Sequence, residues 1–134
     1  MAQLASFERD CVAHAAAADM LRQVENWSAV NSGSRNLDGL AIIADRLAGA
    51  FADLPGEIRL VDPSPVDAID ATGATVEVPH GRNLHLVVRP QAPLQLLFTG
   101  HMDTVFGADH AFQASRWLEP GKVLNGPGVA DMKG

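Results

Sequence analysis

The hydrophobic pattern of the chain changes period near Pro55. Before it, apolar residues recur at helical spacing. From about Phe7 to Val30, an alanine-rich stretch leads into Leu21, Val24 and Trp27 on one stripe, which predicts a helix. The polar run "NSGSRN" at residues 31–36 then predicts a loop. A second helix is expected from about Asp38, with Leu40, Ile43, Leu47, Phe51 and Leu54 on its apolar stripe and Pro55-Gly56 ending it. After Pro55 the pattern alternates. "EIRLV" sends Ile58 and Leu60 to one face, and "ATVEV" does the same with Val76 and Val78. "LHLVV" alternates through Leu84, Leu86 and Val88, and the turn-like "HGRN" before it predicts a hairpin with "ATVEV". "LQLLF", residues 94–98, is continuously apolar, as expected of a strand covered on both faces. Beyond Gly107 the sequence is loop-like, with a short strand expected near "KVLN". Helices followed by mixed strands predict an α/β domain, a layered sheet with flanking helices.

The totals narrow the function classes. A chain of 134 residues, 47% of them apolar, fits one small globular domain and leaves little room for a second. The net charge of -6 lacks the basic footprint of a nucleic-acid binder. The N-terminal residues carry charges where a signal peptide needs an apolar core, and no window has the apolar length of a membrane span. The single cysteine, Cys11, cannot form an intrachain disulfide and is expected to be a small buried residue. A cytoplasmic protein is the expectation, with neither nucleic acid nor membrane as partner.

Chemistry concentrates at the end of "LQLLFTGHMDTVFG". His101 and Asp103 stand two residues apart, so in extended backbone both project from one side of the chain. A neutral imidazole is a zinc ligand, and a metal-bound histidine commonly gives its other ring N–H to a carboxylate. Ligands also gather at the carboxyl ends of strands in α/β sheets. The alternative is a solvated loop histidine beside a turn-forming aspartate. A second element, "NGPGVADMKG", sets Asp131 after a glycine-proline-glycine turn that lets backbone approach a site closely. A dinucleotide fingerprint is excluded there, because the third glycine is absent and no long strand leads into the turn. Asp131 is either an ordinary acidic residue after a surface turn or a second metal ligand. A carboxylate can bridge two cations. His14, His80, His85 and His110 are read as structural or solvated side chains.

Taken together, Gly-His-x-Asp-Thr-Val and Gly-x-Gly-x-x-Asp-Met-Lys-Gly resemble the zinc exopeptidase family of glutamate carboxypeptidase, aminoacylase, acetylornithine deacetylase and succinyl-diaminopimelate desuccinylase. The stretch "ENWSAVNSGSRNLDGL" is similar to that family's N-terminal helix, loop and second helix. Pro127 between the two glycines, where many members carry arginine or threonine, looks most like the glutamate carboxypeptidase branch. The resemblance implies that His101 binds one zinc, that Asp131 bridges two, and that Asp103 serves catalysis by orienting the imidazole of His101. It also implies two zinc ions in the complete enzyme, with cobalt as a substitute metal, a homodimer, and a peptide or N-acyl amino acid as substrate. In the family the peptide bond after the bridging aspartate is commonly cis.

By the same resemblance, residues 1–134 are the N-terminal part of a single metallopeptidase catalytic domain, truncated at its C-terminal end. The family's glutamate pair, further acidic ligand and late histidine fall after the position of Gly134. Two functions are therefore expected as alternatives. One is a dizinc hydrolase that cleaves an amide bond next to a free carboxylate, with this chain alone inactive. The other is a non-catalytic fragment or interaction module. A Glu-Glu pair encoded about thirty to forty residues past Gly134 separates them.

Overall fold

A computed structural model describes residues 4–133; Met1–Gln3 and Gly134, the last residue of the second motif, lie outside the described residues. Three helices precede six short strands: α1 (Ser6–Ala16), α2 (Met20–Ser28), α3 (Leu37–Ala50), β1 (Gly56–Val61), β2 (Val66–Ile69), β3 (Thr75–Val78), β4 (Asn83–Val88), β5 (Arg116–Glu119) and β6 (Val123–Asn125). The class is mixed α/β. None of the helices is long and apolar enough to cross a membrane among the described residues.

The expected first helix is two helices. Ala17–Asp19 interrupt it, and the Asp19 carboxylate caps α2 by accepting from the Arg22 backbone N–H. A capping aspartate satisfies an N–H that the first helical turn leaves orphaned, so a new helix starts there. Helix α1 buries none of its residues, and Cys11 is exposed, against the expectation of a buried thiol. Helix α3 carries the first part of the predicted apolar stripe, Leu40 to Leu47, but ends at Ala50, so that Phe51 is its C-cap and Leu54 lies beyond it, exposed. Leu40, Ile43 and Ala44 on its inner face are the buried apolar side chains, while Leu47 is half-buried. The Asn36 side chain accepts from Gly39 N–H and caps its start.

The strands form three separate two-stranded antiparallel sheets, not one layered sheet. Strand β1 pairs with β4, setting Ile58 against Leu86 and Leu60 against Leu84, and these half-buried residues alternate with exposed ones. His85 is exposed, on the solvent side of that alternation. The predicted hairpin is wrong in its partners. "ATVEV" (β3) pairs with β2, a strand the sequence reading did not predict, and "LHLVV" (β4) pairs with β1. Alternation identifies a strand face but carries no information about which strand lies beside it. The strand expected near "KVLN" forms β6, which pairs with β5.

The largest departure is "LQLLF". Residues 94–98 are not hydrogen-bonded into any sheet among the described residues, and Leu94, Leu96, Leu97 and Phe98 are 74%, 72%, 88% and 87% exposed. A strand covered on both faces and paired on both edges needs two neighbours and two layers. Among the described residues the strands stay in three two-stranded sheets, none of which takes in residues 94–98, so the layered sheet does not form.

With so few buried apolar side chains, each one matters. Ile43, 1% exposed, touches solvent least of the three, while its neighbour Ile42 is 47% exposed. Ile43→Ala is expected to destabilise the chain by about 2–5 kcal/mol. Ile42→Ala should stay within about 0.5 kcal/mol of the parent. Urea unfolding followed by circular dichroism checks both, and equal effects would place the core elsewhere.

Candidate metal centre

Three loops build the site. The first is residues 31–36, between α2 and α3. Asn31 anchors it: the side-chain amide donates to Phe106 O, Gly107 O and Gln113 Oε1, while its Oδ1 accepts from Gly33 N–H. Ser32 is fully buried, and its hydroxyl donates to Met102 O at 2.8 Å. Gly33 forms a parallel bridge with Thr104, and a Cβ on it would fall 2.5 Å from Phe106 O. Only glycine allows the two segments to lie this close.

The second loop is residues 101–107. Thr104 N–H donates to Ser32 O at 2.8 Å, and Thr104 O accepts from Ser34 N–H at 3.1 Å. Between these ties His101 and Asp103 face each other. His101 Nδ1 lies 3.1 Å from Asp103 Oδ1 and 3.0 Å from Asp103 O. The Ser34 hydroxyl donates to the other oxygen of the same carboxylate.

The third loop closes on itself after β6. Gly128 has φ +74°, and its carbonyl accepts from Lys133 N–H at 2.9 Å. The Lys133 side chain is buried, and its ammonium donates to Val30 O just past the end of α2. Burial, with the Arg46 guanidinium adding to it, pulls the Lys133 ammonium below its ordinary value. This tie holds Asp131 against the first two loops. Asp131 Oδ1 stands 2.9 Å from His101 Nε2. The Asp131–Met132 peptide is cis, the geometry that the resemblance implied.

The three residues singled out in the sequence thus meet: the His101–Asp103 contact follows their two-residue spacing, and Asp131 beside them is what the resemblance implied. Asp103 takes one ring nitrogen of His101 and Asp131 faces the other. Asp103 contacts the imidazole on the side away from Asp131. Two donors about 2.0–2.2 Å from one tetrahedral zinc stand about 3.3–3.6 Å apart, so the His101–Asp131 pair, at hydrogen-bond distance, would have to open by roughly half an ångström to share a cation. The pair does not complete a site. Asp103 addresses the opposite ring nitrogen, and no group of three His, Cys, Asp or Glu side chains converges on one point among the described residues. His110 is not drawn in. Its Nδ1 accepts from Phe112 N–H and its ring packs 5.0 Å from that of Phe106.

Sequence reasoning missed Ser32, Ser34, Asn31 and Lys133 as parts of this site. The first three sit in a run that reads as an ordinary polar loop. Their signal is weak: two serines and two asparagines around one glycine, placed just before a helix cap. Lys133 sits inside the second motif but carries no chemistry by its spacing.

Compared with protein-family models, with curated proteins and with solved structures, the chain matches none of them.

The electrostatics follow from the contacts. The Asp131 carboxylate, more than anything else, raises the His101 pKa above its ordinary 6.5; burial opposes it, and the weaker contacts with the Asp103 backbone and side chain add to the rise. The Ser34 hydroxyl first, then His101, lowers that of Asp103. A raised folded-state pKa stabilises the fold fully below the unfolded value and loses that contribution as pH rises through the folded value. For His101 the window therefore opens near pH 6.5 and extends upward. In an NMR titration His101 should titrate above 6.5 and move back down in Asp131→Asn. A His101 that titrates identically in both chains would show that the 2.9 Å contact is not populated in solution.

Proposed function

We propose that this chain is the N-terminal segment of a dizinc metallohydrolase of the carboxypeptidase or amidohydrolase type. Its substrate is an amide next to a free carboxylate, as in a peptide with C-terminal glutamate or an N-acyl amino acid. The fold it implies is an incomplete zinc-exopeptidase catalytic domain, in which "LQLLF" becomes a covered strand. The observation that carries the reading is the convergence of Asp103, His101 and Asp131 along one line of contacts at 3.1 Å and 2.9 Å. A surface histidine has no need of a carboxylate on each ring nitrogen. A metal-bound histidine commonly gives its other ring N–H to a carboxylate or carbonyl, the partners Asp103 offers at Nδ1, and Asp131 at Nε2 is placed where a co-ligand would be.

The chain's own residues divide the work. His101 presents Nε2, Asp103 holds the ring by its Nδ1 side, and Asp131 supplies a carboxylate able to bridge. When bound, zinc supplies Lewis-acid polarisation of the scissile carbonyl and acidifies a water. The remaining ligands and the carboxylate that takes the water's proton are not among the described residues, and the resemblance puts them beyond Gly134.

The second reading, a non-catalytic module, draws on the same fact from the other side. Two ligands alone hold a metal weakly, and "LQLLF" exposes an apolar surface of the kind that marks interaction sites.

Two measurements separate these readings. Zinc added to the chain should shift the ring resonances of His101 selectively, an effect lost in Asp131→Ala; no selective shift would remove the metal reading. The chain with excess zinc should hydrolyse neither N-acyl amino acids nor C-terminal glutamyl peptides. General-base help alone is worth about a hundred- to ten-thousand-fold, and here much of the metal site is missing too. A chain extended through the Glu-Glu pair should turn over these substrates and lose that activity in His101→Ala. Turnover by the 134-residue chain, abolished by His101→Ala, would show that it assembles a complete site in another way.

A further inference from the structure

Asp103 is held at both oxygens, and only one of them faces His101. Oδ1 stands 3.1 Å from His101 Nδ1, while Oδ2 accepts from the Ser34 hydroxyl. The terminal torsion of an aspartate has a broad, two-fold well, so a carboxylate tied at one oxygen can rock. Tied at both, its plane is fixed, and so is the direction in which Oδ1 meets the imidazole.

Ser34 is itself fixed. Its backbone N–H donates to Thr104 O at 3.1 Å, Gly33 bridges to Thr104, and Ser32 O accepts from Thr104 N–H at 2.8 Å. Three consecutive loop residues therefore run beside the segment that carries Asp103. The hydroxyl has a single proton and two acceptors within reach, Asp103 Oδ2 and, at 3.3 Å, Thr104 O. The carboxylate oxygen is both nearer and charged, so it takes the proton.

We infer that Ser34 is a positioning residue for His101, acting through Asp103 to fix the ring and keep a proton on Nδ1, so that Nε2 is the nitrogen presented to Asp131. The role of Nε2 as a metal donor rests on the function proposed above; the orientation of the ring by Ser34 does not. Asp103 O, 3.0 Å from Nδ1, also favours a proton there. Removing the hydroxyl therefore weakens the preference without erasing it. The requirement is for a hydroxyl in this place and not for a charge. Threonine should serve; alanine, or cysteine as a poor donor of similar size, should not.

The test reads the tautomer of His101 in metal-free, 15N-labelled protein, at a pH above its titration. An Asp131→Ala background removes the carboxylate that competes for a proton on Nε2. With Ser34, and with Ser34→Thr, the ring should carry its proton predominantly on Nδ1. With Ser34→Ala and Ser34→Cys the Nε2–H form should rise. If Ser34→Ala does not fold, Ser34→Cys decides alone. Equal tautomer populations in all the chains would overturn the inference. In chains that retain Asp131, zinc affinity read from the His101 shifts should fall up to about tenfold in Ser34→Ala, the lower end of the loss for an outer-shell partner. Ser34→Thr should recover it. A wild-type chain whose His101 ignores zinc overturns the metallohydrolase reading, and the metal-free tautomer still decides the role of Ser34.

Discussion

Thr104 is gripped from both sides by a loop that is distant in sequence, and the site depends on that grip. Its N–H donates to Ser32 O at 2.8 Å and its carbonyl accepts from Ser34 N–H at 3.1 Å, as in a short parallel strand pair. The Ser32 hydroxyl adds a bond to Met102 O. Each such bond contributes only about 0.5–1.5 kcal/mol net. Their effect is geometric: with Met102 and Thr104 fixed, Asp103 between them has little backbone freedom left. Asn31 extends the same seam to Phe106 and Gly107, and the Lys133 ammonium ties the third loop to Val30. The site is thus assembled by loop-to-loop polar contacts. The small apolar core, centred on α3, supports it from one side through the Asn36 cap.

What the sequence disclosed depended on the range of the interaction involved. Helix α3 was legible because its stripe from Leu40 to Leu47 is a local, periodic property. The strands β3 and β4 were legible as strands, yet their pairing was misread. Partner choice in a sheet is decided by contacts that close over long stretches of chain, such as Ile58 with Leu86. "LQLLF" was read as a covered strand from its composition, which says how apolar a segment is but not whether a neighbour exists for it. In the structure its backbone has no sheet partner among the described residues. The break at Ala17–Asp19 escaped notice because alanine carries no stop signal, and the cap lies in one aspartate.

The site divides in the same way. His101, Asp103 and Asp131 stood out as residue types with metal-binding chemistry, although spacing alone left solvated-loop alternatives open and only the resemblance joined the two motifs. Ser32, Ser34 and Asn31 are as common in solvated loops as in polar seams. Their roles appear only once the loop at 31–36 lies against residues 102–107. The close approach at Gly33 is the physical reason this happens, since a side chain there would collide with Phe106 O. A loop that reads as a spacer between helices is therefore the frame of the site.

The placement of His101 between two carboxylates has one further consequence. Without a metal, a proton on each ring nitrogen satisfies both Asp103 and Asp131, and this is why the imidazolium is favoured. The positive charge of the ring then does the work that a cation would do between His101 and Asp131. Under the function proposed above, a metal would have to displace the Nε2 proton while the Nδ1 proton stays with Asp103, so metal and proton would compete for one nitrogen. The contact at 2.9 Å is a charge-assisted hydrogen bond, closer than two donors on one tetrahedral zinc would stand.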